Sequence, residues 1–71
     1  MTRRQTRQLS TGQRIAEARR ALEMTQDALA RDLGVYTRTV QRWEGDESAP
    51  TGAVVFTLAD RLGLDPRELA A

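Results

Sequence analysis

The sequence contains no cysteine and no histidine. These absences exclude disulfide bonds and remove the sulfur and imidazole ligands of a zinc finger, and they leave no imidazole to act as the usual general base. The acidic residues show no paired-carboxylate motif or metal-ligand spacing, and no phosphate-cradling glycine loop is apparent. We therefore expect neither an enzyme nor a protein that needs a metal or another cofactor.

Long apolar runs are also missing. No stretch approaches the roughly 20 residues that span a bilayer, and the N-terminus lacks a signal-peptide core. The lack of cysteine fits a reducing compartment. We expect a cytoplasmic protein without a membrane partner, and the 71 residues make one small domain.

Charge is unevenly distributed along the chain, although the net charge is only +1. Residues 1–22 carry six Arg and one Glu, a net charge of +5, whereas residues 23–71 carry five Arg and nine acids, a net charge of −4. Phosphate affinity depends on where positive charge lies. The first third of the chain is therefore the natural place for contacts with a polyanion.

Residues 1–9 have no hydrophobic period and are expected to form a flexible basic arm before a domain at 10–71. Arg3, Arg4 and Arg7 are candidates for contacts with phosphates or with a DNA minor groove. A solvated tail is the alternative interpretation.

Helix one should begin at Ser10, because Gln13 completes a capping box of the S-x-x-Q form. Its buried stripe follows at i, i+3, i+4 and i+7, namely Ile15, Ala18, Arg19 and Leu22. A buried charge needs a partner, and Glu44 is the candidate for Arg19. Arg14 and Arg20 lie off the stripe and face water or phosphate.

The stretch 25–45 reads as two short helices joined at Gly34, where a left-handed conformation costs glycine nothing. Thr25 caps the first of these helices. Gln26 lies in its first turn, where it is either a phosphate clamp or an ordinary polar residue. The second helix, about 37–44, turns Val40 and Trp43 inward and presents Thr37, Arg38, Gln41 and Arg42 to solvent. Trp43 is interpreted as core, because single-stranded nucleic-acid binders usually have several stacking aromatics.

The last third of the sequence predicts two further helices. Thr51 should cap helix four, whose apolar face comprises Val54, Val55, Leu58, Ala59 and Leu62, with Phe56 filling in beside it. After Gly63, a short final helix should have Asp65 as its cap, Pro66 at its first position and Glu68 at its third. The prediction is an all-α domain of five helices.

The run LGVYTRTVQRWEG, preceded by TQDALA and followed by LADRLGLDPREL, resembles the Cro/cI-type (lambda-repressor-like, XRE-type) helix-turn-helix family. The resemblance implies a compact five-helix domain that binds double-stranded DNA, usually as a homodimer on a palindromic operator. It implies a phosphate contact for Gln26, base or nearby backbone contacts for Thr37, Arg38, Gln41 and Arg42, and a structural ion pair for Arg19 and Glu44. The ion pair agrees with the pairing argued from the buried stripe.

Two positions depart from the family pattern. Tyr36 stands where Ser or Thr often caps the recognition helix, so either Thr37 replaces the cap or the cap is lost. The Tyr36 side chain is then either a phosphate contact or an exposed loop aromatic. Asp46 and Glu47 stand where the family often has bases, so we expect this loop to add little affinity.

We therefore expect a sequence-specific transcriptional regulator, a repressor, that is nucleoid-associated when bound. Arg38 or Arg42 would read guanine and Gln41 adenine. Dimerisation is assigned to the region that includes Val55, Leu64 and Leu69, with burial in a monomer core as the alternative. The alternative function is an antitoxin or adaptor that has a protein partner and also binds its own promoter.

Overall fold

The computed structural model describes residues 9–69, and all the regular secondary structure in this part of the chain is helical. Four α-helices follow one another: α1 (Thr11–Ala21), α2 (Gln26–Leu33), α3 (Thr37–Glu44) and α4 (Ala53–Leu62). Within 9–69, no helix has the length and apolar character needed to cross a membrane.

The predicted fifth helix is instead a single 3-10 turn, Pro66–Glu68. Asp65 caps this turn and Glu68 completes a capping box, as the sequence predicted. The amide N–H groups bond only three residues back, from Glu68 to the Asp65 carbonyl at 2.8 Å and from Leu69 to the Pro66 carbonyl at 3.0 Å. The fully buried Leu69 then anchors the chain to the core directly after this one turn.

Side-chain caps start the first two helices as predicted. The Ser10 hydroxyl accepts from the Gln13 amide at 3.1 Å and the Gln13 side chain accepts from the Ser10 amide at 2.8 Å. The Thr25 hydroxyl accepts from the amide of residue 28 at 3.0 Å. The prediction for Thr51 was wrong, because Gly52 is the N-cap of α4 with φ 64° and no side-chain cap bond. Glycine reaches that conformation without a Cβ penalty, so the chain enters α4 through backbone geometry.

The core draws buried side chains from all four helices and from the C-terminal turn. Its members are Ile15 of α1, Leu29 and Ala30 of α2, Val40 and Trp43 of α3, Leu58, Ala59 and Leu62 of α4, and Leu69. Trp43 is 4% exposed, which confirms its interpretation as a core residue. Because α3 packs on both α1 and α2, its inner face is fixed and its outer face is available.

Phe56 does not fill in beside the apolar face of α4, as the sequence predicted, but is 65% exposed. At 100° per residue, Phe56 lies about 200° from Leu58 around the helix. Leu58 is fully buried, so Phe56 points away from the core.

The N-terminal end of α1 approaches the C-terminal end of α3 very closely at Gly12. A Cβ on Gly12 would lie 2.5 Å from the Trp43 carbonyl oxygen and 2.6 Å from the Glu44 carbonyl oxygen. The Gly12 amide also donates to Asp46 Oδ1 at 2.9 Å. Hydrogen bonds from the Ser10 hydroxyl and the Gly12 amide hold the pKa of Asp46 below its ordinary value. One acid of the loop after α3 therefore caps α1.

Candidate nucleic-acid interface

The outer face of α3 carries three exposed polar side chains, Arg38, Gln41 and Arg42. Val40 and Trp43 anchor the opposite face of this helix in the core. The side chains of Arg38 and Gln41 make no hydrogen bond or salt bridge to any residue of 9–69, so their side-chain donors and acceptors face solvent. A helix braced from behind with free donors on its outer face has the geometry that enters a DNA major groove.

The N-terminal end of α3 is organised by a contact with α2. The Thr37 hydroxyl donates to Asp27 Oδ1 at 2.8 Å, and Thr37 is half-buried. Tyr36 occupies the N-cap position but makes no side-chain cap bond. Of the two alternatives, the cap is therefore lost rather than transferred to Thr37. The Tyr36 side chain is 85% exposed at the start of the helix.

Arg42 differs from Arg38 because an acidic side chain lies close to it. Arg42 Nε is 4.0 Å from Glu47 Oε1, and both side chains are more than half exposed. This distance is at the limit of an ion pair, and exposed pairs of this kind contribute little. Glu47 nevertheless places negative charge beside one of the outer-face arginines.

Arg19 and Glu44 form a buried, two-point ion pair between α1 and α3. Arg19 Nε donates to Glu44 Oε2 at 2.6 Å and Nη2 donates to Oε1 at 3.0 Å. The Met24 carbonyl accepts a further bond from Arg19 Nη1 at 2.8 Å. The bond to Glu44 raises the pKa of Arg19. This pair ties the C-terminal end of α3 to α1.

Gln26 shares the same carboxylate. Its Nε2 donates to Glu44 Oε1 at 3.0 Å. Burial raises the pKa of Glu44, but the hydrogen bonds from Arg19 and Gln26 and the charges of Arg19 and Arg20 outweigh burial, so its pKa lies below the ordinary value. One N–H of the Gln26 amide is thus committed inside the protein, and its second N–H remains for a ligand.

The other predicted phosphate contacts lie elsewhere. Arg14 Nη1 is 3.3 Å from Glu68 Oε1, so the structure places Arg14 beside the C-terminal turn. Arg3, Arg4 and Arg7 lie outside the described residues.

The side chains assigned to dimerisation have different environments. Leu69 is fully buried, whereas Val55 and Leu64 are partly buried against the core. The burial of Leu69 agrees with the monomer-core alternative. Phe56 remains the large apolar side chain that α4 exposes.

Sequence reasoning missed two acids of this region. Asp27 accepts the Thr37 hydroxyl hydrogen and pairs with Arg31 at 3.4 Å. The i, i+4 spacing signals the pair with Arg31, but no local pattern joins Asp27 to Thr37. Asp46 was considered only for its charge near DNA, and its cap on α1 spans 34 residues of chain.

Residues 15–69 match the helix-turn-helix family HTH_3. The chain is 37% identical over 62 residues to the HTH-type transcriptional regulator DicA of Escherichia coli strain K12. That match covers 87% of this chain and 46% of DicA, so the chain spans less than half the length of this relative.

Solved structures give the same match at the level of the fold. The P22 c2 repressor in complex with synthetic operator 9T is 31% identical, with a TM-score of 0.82, over 87% of this chain and 94% of the repressor chain. The solution structure of the DNA-binding domain of the same repressor is 30% identical, with a TM-score of 0.79, over 90% and 84% of the two chains. The restriction-modification controller protein C.AhdI of Aeromonas hydrophila is 32% identical, with a TM-score of 0.73, over 84% and 91%.

Proposed function

The chain belongs to the Cro/cI-type helix-turn-helix family, and on that premise we propose that it is a transcriptional repressor that binds a specific sequence of double-stranded DNA. The observation that carries this proposal is the outer face of α3, where Arg38 and Gln41 are exposed and uncommitted while the inner face is buried. The similarity to a repressor crystallised with its operator supports it.

The contacts of the α3 side chains suggest that each of them has a different role in base recognition. Arg38 has a free guanidinium fork, which suits guanine O6 and N7, and Gln41 suits adenine N6 and N7. Arg42 must leave the neighbourhood of Glu47 to reach a base, so we assign it a secondary role. The Thr37 hydroxyl is held by Asp27, which leaves its oxygen to accept and its methyl group to contact a thymine methyl.

Backbone contacts would position α3 on the duplex. We assign phosphate contacts to Gln26 through its second amide N–H and to Tyr36 through its exposed hydroxyl. The basic arm would add contacts through Arg3, Arg4 and Arg7. Deleting residues 2–8 should then flatten the dependence of log affinity on log salt, because fewer counterions are released. An unchanged slope would leave the arm without a role.

A homodimer on a palindromic operator completes the proposal, with half-sites about one helical turn apart. The contact between the two copies is assigned to α4. Since Leu69 is fully buried and Val55 and Leu64 are partly buried, the exposed Phe56 is the side chain on which this contact would rest.

Base readout can be tested with the variants Arg38→Ala and Arg42→Ala on a selected duplex and on random DNA. The matched control is Arg67→Ala, which removes the same charge from an exposed arginine at the C-terminal turn. We expect Arg38→Ala to lose about 1–3 kcal/mol of discrimination per chain, with a smaller effect for Arg42→Ala and none for the control. If both α3 variants distinguish the two duplexes as the parent does, the assignment of α3 is wrong.

A further inference from the structure

One face of α1 borders the C-terminal end of α3. The residues Gln13, Ala16, Glu17 and Arg20 line a shallow recess together with Glu44. Their spacing of i, i+3, i+4 and i+7 places them on one side of the helix. This recess is open to solvent beside the ion pair that holds α3.

A different face of α1 turns toward the C-terminal segment. Arg14 and Ala18 line a second depression with Leu64 and Glu68, and Glu17 borders both this depression and the recess. Arg14 is paired with Glu68. The two off-stripe arginines of α1 therefore face different parts of the molecule, and only Arg20 lies on the side of α3.

The guanidinium of Arg20 is available for a ligand. Arg20 is exposed, and its side chain forms neither a hydrogen bond nor a salt bridge within the part of the chain that the structure describes. Glu17 lies on the same face of α1. Glu44 is the other carboxylate of the recess. It accepts two bonds from Arg19, and the charge of Arg20 interacts with it without a hydrogen bond.

Arg20 and Gln26 are neighbours through Glu44. The same Glu44 carboxylate accepts from Gln26 Nε2 at 3.0 Å and lines the recess with Arg20. Because one DNA strand presents a phosphate every ~3.4 Å along the helix axis, two side chains that lie near one carboxylate can reach neighbouring phosphates of a strand.

We propose that Arg20 binds a backbone phosphate of DNA next to the phosphate held by Gln26. This inference rests on the proposed function and places the phosphate contact of α1 at Arg20 rather than at Arg14. The guanidinium fork matches a phosphate in two-point geometry. The contact adds affinity for the duplex but does not depend on its base sequence.

The test measures affinity by fluorescence anisotropy on a selected and a random labelled duplex between 50 and 200 mM salt. The variants are Arg20→Ala, Arg20→Lys and, as a matched control, Arg67→Ala, which removes an exposed arginine at the C-terminal turn, each checked by thermal unfolding. Loss of one phosphate contact should reduce the slope of log affinity against log salt by about 0.9. When salt rises over this range, the affinity of Arg20→Ala should therefore fall about 3-fold less than that of the parent for each bound chain. Both duplexes should show the change, Arg20→Lys should retain most of the parent slope, and Arg67→Ala should keep all of it.

Three results would overturn the inference. If the slope of log affinity against log salt is the same for Arg20→Ala as for the parent, Arg20 touches no phosphate. An equal reduction in Arg67→Ala would show a general effect of net charge. A parent chain that binds neither duplex would remove the proposed function and the inference together, whereas a binding parent with an unaffected Arg20→Ala variant removes the inference alone.

Discussion

Removing one partner of the Arg19–Glu44 pair should destabilise the domain far more than replacing both. The two side chains are 10% and 7% exposed and meet at 2.6 Å. In Glu44→Ala, the buried guanidinium of Arg19 keeps only the Met24 carbonyl as an acceptor among the described residues. Breaking a buried pair in this way costs about 3–5 kcal/mol. A domain of this size has about 4–11 kcal/mol in total, at 0.05–0.15 kcal/mol per residue, so the variant should lose a large fraction of its stability.

The double variant Arg19→Met/Glu44→Leu separates the charge from the packing. Replacing a buried ion pair by apolar side chains of similar volume is often neutral or stabilising, so this variant should be more stable than Glu44→Ala. Urea unfolding followed by circular dichroism and by Trp43 fluorescence gives both free energies. Arg67→Ala is the control, because its partner Asp65 is at the surface and exposed pairs contribute about 0–1 kcal/mol. A cost below about 1 kcal/mol for Glu44→Ala, as at an exposed pair, would refute this reasoning, and so would a double variant less stable than the single one.

Three further predictions follow from the described contacts. Gly12→Ala should lower the free energy of unfolding by about 1–3 kcal/mol, because its Cβ would meet the carbonyl oxygens of Trp43 and Glu44; parent-like urea unfolding would contradict this packing. Because the folded state lowers the pKa of Glu44, its contribution should be complete above the unfolded pKa of about 4.3 and lost as pH falls through the folded value. In Glu44→Gln, the free energy of unfolding should lack this loss at acid pH. A loss at acid pH equal to that of the parent would contradict the assignment. Phe56→Ser should weaken self-association in sedimentation experiments without changing the unfolding curve, whereas parent-like self-association would remove Phe56 from the dimer contact.

Features set by neighbouring residues could be predicted from the sequence. The Ser10–Gln13 box and the Thr25 cap depend on spacings of three residues, and both are present. Gly34 ends α2 with φ 74°, as the turn required. In each case the determining contact lies within one turn of helix, so the pattern carries enough information.

Features set by the tertiary arrangement were harder to predict. Thr51 has the chemistry of a cap, but the chain enters α4 one residue later through a positive φ at Gly52. Phe56 was placed beside the core because of its hydrophobicity, although its position on the helix turns it outward. Asp46 caps α1 from a distant loop, and nothing near Asp46 in the sequence indicates that partner.

The candidate interface also combines features that could be predicted from the sequence with features set by the tertiary arrangement. Arg19 on an apolar stripe required a buried partner, and that electrostatic requirement was enough to identify Glu44. The bonds from Gln26 to Glu44 and from Thr37 to Asp27 depend on side-chain directions that the sequence does not specify. The sequence predicted the same surroundings for Arg14 and Arg20, and the pairing of Arg14 with Glu68 is what distinguishes them.

Selection of bound duplexes from a random pool tests the central claim most directly. A dimer that reads bases through α3 should enrich a palindrome whose half-sites are centred about 10 base pairs apart. Each half-site should contain a guanine whose enrichment disappears when the selection is repeated with Arg38→Ala. Enrichment of no motif by the folded parent chain would contradict sequence-specific recognition, and an identical motif from Arg38→Ala would contradict its assigned role.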